Sequence, residues 1–218
     1  MTAPATHSEK CDKREQILDA AQALFAEQGY DGTSVRDICN HAGVNVAMVN
    51  YYFGSKEGLF EKMVERRASV MRGRLEELSA NRDMAPMVKM EILAEEVINR
   101  MFGNRDFTLT IMREMSKGGN LELRERLAEV FTRNISLLRS IIEEGMHLGH
   151  FREVDPVLCI ATIYGTIWNL ISTEVMLKKI DPALSGPENI YEDPGFRERA
   201  VAHLRSMLRA HLLKIPAE

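Results

Sequence analysis

The chain has 218 residues, of which 45% are hydrophobic and 28% charged, and 28 Lys and Arg against 32 Asp and Glu give a formal net charge of −4. This composition is typical of a globular protein and excludes an intrinsically disordered chain. The three cysteines are isolated and form no Cys-x-x-Cys pair, which excludes a zinc knuckle and a disulfide framework and indicates a reduced, cytoplasmic setting.

Neither a signal peptide nor a membrane span is expected. The first fifteen residues, MTAPATHSEKCDKRE, contain no apolar stretch. The longest apolar run, residues 157–171, is interrupted by Thr, Gly and Asn and is too short to cross a bilayer. We therefore expect a buried helix there and predict no membrane partner.

Helical periodicity covers nearly the whole chain, and no alternating strand pattern is found. The first helix is expected to have Asp12 as its N-cap and Gly29 as its end. Two short helices separated by Gly43 follow, and Ser55 caps a long helix. Five more helices are predicted after residue 83, one of them continuous over residues 155–180.

The two short helices have the residue types of a helix-turn-helix. Gly43 suits a turn that requires a positive φ, and Cys39 is small where the helices would cross. Val44 and Val49 would bury the second helix against the first. An uncharged surface would then face outward, composed of Asn45, Val46, Ala47, Asn50 and Tyr51.

This outward surface is suited to a DNA groove. Asn can form two hydrogen bonds with adenine in the major groove, and small apolar side chains can contact thymine methyl groups. Tyr hydroxyls and helix N-termini can bind phosphates without a net positive charge. A negative chain can therefore still bind DNA through a local surface.

Over residues 13–60 the motifs AAQALFAEQGYDGTSVRDI, AGVN and YYFGSKEGLF resemble the DNA-binding domain of the TetR family of bacterial transcription regulators. The resemblance implies a homodimer whose recognition helices, residues 45–51, enter successive major grooves of a palindromic operator. Asn50 departs from the Tyr that family members very often have, which favours adenine readout. The predicted DNA-binding residues are Thr33, Arg36, Asn45, Val46, Ala47, Asn50, Tyr51, Tyr52 and Lys56.

The resemblance also implies a C-terminal helical bundle that binds a small-molecule effector and forms the dimer through its last two helices. Candidate pocket residues are aromatic or Met side chains, for which the alternative is plain core: Met101, Phe102, Phe107, Met112, Tyr164 and Trp168. The predicted fold is all-α with about nine helices. Its parts are a disordered tail (1–11), a helix-turn-helix domain (12–54), a connecting helix (55–82) and a ligand-binding and dimerisation domain (83–218).

No catalytic constellation is found. Glu144 and His147 form a single Glu-x-x-His pair, whereas a di-iron site in a bundle needs two such pairs and further Glu residues. HExxH, GxSxG and P-loop motifs do not occur in the sequence. We therefore predict that the protein is not an enzyme and has no cofactor and no metal site.

Two functions are consistent with these features. The first is a dimeric, sequence-specific DNA-binding regulator, a repressor that a small-molecule effector releases from its operator. The alternative is an all-α ligand-binding or scaffold protein whose helix-turn-helix does not act on DNA. A salt titration of binding to random-sequence duplex DNA distinguishes the two functions. Contacts with phosphates predict that the affinity for DNA falls steeply as the salt concentration rises.

Overall fold

A computed structural model describes residues 7–118, 120–186 and 188–214, with residues 7–12 as backbone only. The described residues form ten α-helices and one 3-10 turn and contain no strand, which confirms the all-α prediction. The elements are α1 (His7–Gly32), α2 (Val35–Ala42), α3 (Val46–Phe53), α4 (Lys56–Ala80), α5 (Pro86–Phe102), α6 (Arg105–Ser116), α7 (Leu121–His147), α8 (Pro156–Ser172), α9 (Glu174–Ile180), the 3-10 turn (Pro182–Ser185) and α10 (Pro194–Leu212).

The chain divides into two compact units. Unit 1 contains the described residues up to Val70 together with Asp106–Phe131, and unit 2 contains Met71–Arg105 and the described residues from Thr132 onward. The predicted domain boundaries differ, since they place residues 83–218 in one domain. The difference arises because apolar side chains of α6 and α7 belong to the core of unit 1: Phe107, Ile111, Leu123, Leu127 and Val130.

Unit 1 is organised around the apolar stripe of α1. All five residues predicted to form this stripe are buried: Ile17, Leu18, Ala21, Leu24 and Phe25. The Phe25 ring lies with its centroid 5.5 Å from that of Tyr30 and 5.2 Å from that of Phe60, and this ring cluster joins α1 to α4. The hydroxyl of Thr110 in α6 donates to the carbonyl oxygen of Phe25 over 3.1 Å.

The ends of α1 agree only in part with the sequence analysis. Gly29 has a φ of 75°, which interrupts the helix where its end was predicted. At the other end α1 begins at His7, five residues before the predicted N-cap Asp12. No Pro or Gly stands between these two residues, so nothing in the chain stops the helix from extending. The remainder of the predicted tail, residues 1–6, lies outside the described residues.

Unit 2 is built on α5, which packs against α8 and α10. At the end of α5, Phe102 stacks on Phe196 and meets Tyr191 edge to face, with centroids 5.7 Å and 5.1 Å away. Lys89 of α5 is fully buried and its ammonium group lies 2.8 Å from the carboxylate of Glu144 in α7. Glu144, one half of the Glu-x-x-His pair, therefore forms a structural ion pair.

The helix predicted over residues 155–180 is wrong, because α8 and α9 are separate helices that meet at an angle of 82°. The chain contains no Pro or Gly at the corner. Instead Thr173 has φ −116° and ψ 30°, and the Ser172 and Thr173 hydroxyls donate to Trp168 and Asn169 carbonyl oxygens. Such local bonds compete with the helical ladder.

Among the described residues, no helix taken singly has the length and apolar character needed to cross a membrane. Only α8 and α9, counted together across their corner, reach that length and composition.

Candidate nucleic-acid interface

The helix-turn-helix is fixed by two caps and a glycine turn. The Ser34 side chain accepts from the Asp37 amide, and the Asp37 carboxylate accepts from the Ser34 amide, which together form a capping box at the start of α2. Gly43 has φ 63°, as predicted, and ends α2. Beyond the turn, Val49 of α3 and Cys39 of α2 are buried in the same core cluster, as predicted, and Val44 packs against this cluster half-buried.

One side of α3 is buried and the other is exposed. Val49 and Phe53 face the core of unit 1 with 0% and 8% of their surface exposed. The exposed side chains include Tyr51, which is 74% exposed, and helix α3 contains no charged residue. The predicted base-reading residues Val46, Ala47 and Asn50 all belong to this exposed surface.

Two predicted contact residues have structural roles instead. Thr33 is 1% exposed, and its hydroxyl donates to the carbonyl oxygens of Leu24 and Gly29 over 3.1 Å and 2.9 Å. The Thr33 side chain therefore stabilises the end of α1 and is not available to a phosphate, while a DNA contact through the rest of Thr33 stays a prediction. Asn45 is the N-cap of α3, and its Oδ1 accepts from the Met48 amide over 3.0 Å, which leaves its NH₂ group and one lone pair of Oδ1 for a partner.

The other predicted DNA-binding residues differ in accessibility. Arg36 of α2 is exposed beside the capping box. Tyr52 is half-buried and packs against the core of unit 1. The ammonium group of Lys56 lies 4.2 Å from the centroid of the Tyr30 ring, and partial burial lowers the pKa of Lys56. Lys56 is therefore directed to its own domain in this structure.

The junction between α3 and α4 is unusually close. Ser55 caps α4 by accepting from the Gly58 amide over 3.1 Å, as predicted. A β-carbon on Gly58 would lie 2.1 Å from the carbonyl oxygen of Phe53, the last residue of α3. Only glycine lets the two helices approach in this way. Gly58 thereby positions the recognition helix relative to α4.

The six predicted pocket residues are divided between the units. Phe107 lies in the core of unit 1, where Arg67 stacks on its ring with its guanidinium carbon 4.9 Å from the centroid, and the half-buried Met112 belongs to the same unit. Phe102 belongs to the buried aromatic cluster of unit 2. The remaining residues of unit 2, all half-buried, are Met101, Tyr164 and Trp168. Two shallow depressions on the described part of unit 2 are lined by other residues.

One cation close to α3 was not predicted from the sequence. Arg14 of α1 lies with its guanidinium carbon 5.7 Å from the centroid of the Phe53 ring. The two residues are 39 positions apart, and periodicity within α1 carries no information about such a contact. Only the folded arrangement of α1 and α3 reveals it.

Comparisons with known proteins agree with this geometry. The family model described as "Bacterial regulatory proteins, tetR family" matches residues 17–63, and that described as "YsiA-like protein, C-terminal region" matches residues 60–192. The fatty acid metabolism regulator protein of Bacillus subtilis is 28% identical over 169 residues, which cover 77% of this chain and 86% of that protein. The transcriptional repressor KstR2 of Rhodococcus jostii is 27% identical over 165 residues, covering 74% of this chain and 79% of that protein.

A solved structure shares the fold. The regulator FadR from Bacillus subtilis, crystallised with stearoyl-CoA, superposes with a TM-score of 0.70 at 24% identity, covering 88% of this chain and 97% of that chain. The second family model alone spans more than half of the chain. The helix-turn-helix geometry and these matches lead to one conclusion: the chain belongs to the TetR family of bacterial regulatory proteins and is a DNA-binding transcriptional regulator.

Proposed function

We propose that the protein is a homodimeric repressor whose two α3 helices bind successive major grooves of a palindromic operator. The observation that carries this proposal is the exposed, uncharged side of α3 opposite the buried Val49 and Phe53. The solvent-facing side of an ordinary surface helix carries charged and polar residues. In the major groove, by contrast, side-chain amides can form hydrogen bonds with base edges, and small apolar groups can contact thymine methyl groups.

The side chains of this surface have separate proposed roles. Asn50 forms two hydrogen bonds with an adenine, and such a pair contributes about 1–3 kcal/mol of discrimination against other bases. Val46 and Ala47 contact thymine methyl groups. The exposed hydroxyl of Tyr51 and the guanidinium of Arg36 bind phosphates, which fixes the register of α3 without reading sequence.

The dimer is proposed to form through α8 and α10. Helix α8 contains no Asp, Glu, Lys or Arg, yet Val157 and Leu158 are 61% and 64% exposed. Ala161 and Gly165 lie on the same exposed side and would allow a second helix to approach closely. Small exposed residues also follow one another along α10: Ala202, Ser206 and Ala210. A surface of this kind is typical of a contact between subunits.

The proposed effector is a long-chain acyl-CoA. This assignment rests on similarity to the fatty acid metabolism regulator and to the regulator crystallised with stearoyl-CoA. An effector lowers DNA affinity only by the difference between its affinities for the two states of the dimer. Helix α4 starts beside α3 in unit 1 and continues into unit 2, so it is the proposed route by which effector binding reaches the recognition helix.

A salt titration of binding to random-sequence duplex tests the DNA-binding part. The proposal predicts that the logarithm of affinity falls linearly and steeply with the logarithm of salt concentration. A weak, salt-independent interaction would instead favour a scaffold protein that does not act on DNA. For the effector, stearoyl-CoA should release the bound duplex at concentrations where CoA and stearate alone do not. If stearoyl-CoA, CoA and stearate all fail to release the duplex, the acyl-CoA assignment is refuted. The proposal that the protein is a DNA-binding repressor is not affected by that result.

A further inference from the structure

The recognition surface has few cations for the phosphates of a duplex, since Arg36 is the only cation assigned to a phosphate in the proposed function. Helix α3 has no Lys or Arg, and the ammonium group of Lys56 is held 4.2 Å from the Tyr30 ring centroid. The whole chain has a net charge of −4, so it gains no general attraction to DNA. Phosphate neutralisation by Lys and Arg nevertheless supplies essentially all of non-specific DNA affinity. A further cation close to α3 is therefore to be expected.

A row of aromatic rings connects the exposed side of α3 to Arg14. The centroids of Tyr51 and Tyr52 lie 5.1 Å apart, and those of Tyr52 and Phe53 lie 6.1 Å apart. The guanidinium carbon of Arg14 lies 5.7 Å from the centroid of Phe53. Because Tyr51 is 74% exposed, the row runs from the recognition surface to a cation on α1.

The Arg14 guanidinium retains capacity for a further partner. One of its N–H groups donates to Glu15 over 2.9 Å, and the other carboxylate oxygen of Glu15 accepts from Arg66 over 2.9 Å. Arg66 also pairs with Asp19 over 2.8 Å. The Arg14 side chain is 41% exposed, and a guanidinium has five N–H groups in a planar fork that fits a phosphate.

We propose that Arg14 binds a DNA phosphate flanking the base pairs that α3 contacts, with the Phe53 ring positioning its guanidinium. This inference rests on the proposed binding of α3 in the major groove and adds α1 to the interface. A phosphate contact carries no sequence information directly. Arg14 therefore contributes to affinity for every duplex to a similar degree and leaves base preference unchanged.

The test compares full-length Arg14→Gln, Arg14→Lys and the wild type in salt titrations on one random-sequence duplex. Arg82→Gln is the matched control, since it removes the same charge from an exposed arginine between α4 and α5. Arg14→Gln is expected to reduce the slope of log affinity against log salt by about 1 per subunit. Arg14→Lys and Arg82→Gln are expected to keep the wild-type slope.

The possible outcomes separate this inference from the proposed function. A steep wild-type slope that Arg14→Gln leaves unchanged overturns the Arg14 assignment alone. A wild type without salt-dependent binding overturns both. A base preference altered by Arg14→Gln, measured by selection from random duplexes, also overturns it because Arg14 would then read bases. Unfolding curves that match the wild type exclude a loss of folded protein as the cause of a reduced slope.

Discussion

Replacing Gly58 with alanine tests whether the α3–α4 junction holds the recognition helix in place. The added β-carbon would lie 2.1 Å from the carbonyl oxygen of Phe53, whereas ordinary van der Waals contact begins at 3.4 Å. The atom it meets belongs to the backbone, so a side-chain rotation cannot relieve the overlap. The ends of α3 and α4 would have to separate by about 1 Å in a closely packed domain.

The expected magnitude follows from this overlap. Forcing an extra carbon into a packed site lowers the free energy of unfolding by about 1–3 kcal/mol. Gly73 provides the matched control in the same helix, because no heavy atom lies within 4 Å of its added β-carbon. Gly73→Ala is expected to raise the free energy of unfolding by about 0.5–1 kcal/mol, since alanine loses less backbone entropy than glycine in a helix.

Urea unfolding at one fixed protein concentration measures the stability of both variants, and fluorescence anisotropy measures their affinity for duplex DNA. Gly58→Ala should lower both quantities, because the displaced end of α3 carries the exposed contact residues. Gly73→Ala should leave DNA affinity unchanged. A Gly58→Ala protein as stable as Gly73→Ala, with wild-type DNA affinity, would refute the positioning role of the glycine.

Three further substitutions have defined outcomes. Asn50→Ala should relax preference at one base position per half-site with the fold intact by circular dichroism; sequence logos identical to the wild type would refute adenine readout. Hydrogen bonds from Ser34 hold the pKa of Asp37 below its ordinary value. The ionised carboxylate therefore stabilises the folded state fully at any pH above the unfolded-state pKa. This stabilisation is lost as the pH falls through the lowered, folded-state pKa. In urea unfolding, the free energy of unfolding of the wild type should therefore exceed that of Asp37→Asn at pH 7, and this difference should shrink under acid conditions. A difference that does not change with pH would contradict this. Within one chain, no heavy atom lies within 4 Å of a β-carbon added at Gly165, so Gly165→Ala should leave the subunit itself undisturbed. The added methyl group should instead obstruct the second subunit and weaken the dimer in sedimentation equilibrium. An unaffected dimer would exclude Gly165 from the interface.

Much of the fold could be predicted because its determinants are local in sequence. The stripe of α1, the break at Gly29 and the turn at Gly43 follow from helical periodicity and from the ability of glycine to adopt positive φ. The exposed side of α3 followed from the same reasoning, once Val49 was assigned to the core. Local rules therefore sufficed to predict the turn at Gly43 and the exposed side of α3.

Other features depend on contacts between distant residues or on competing local bonds. The packing of Phe107 in unit 1 and the ring contact of Arg14 with Phe53 have no local signature. The corner at Thr173 arises from hydroxyl bonds to helix carbonyls, a weak tendency that the apolar composition of the segment concealed. The side chain of Thr33 matched a family position, yet its burial could be seen only in the fold.

The central claim is that two copies of the exposed α3 surface read one duplex together. Selection of wild-type protein on a pool of random-sequence duplexes measures this directly. We predict recovery of an inverted repeat whose half-sites are separated by about one helical turn, 10–10.5 base pairs from centre to centre. Recovery of no preferred sequence, or of a single asymmetric site, would contradict the dimeric readout by α3.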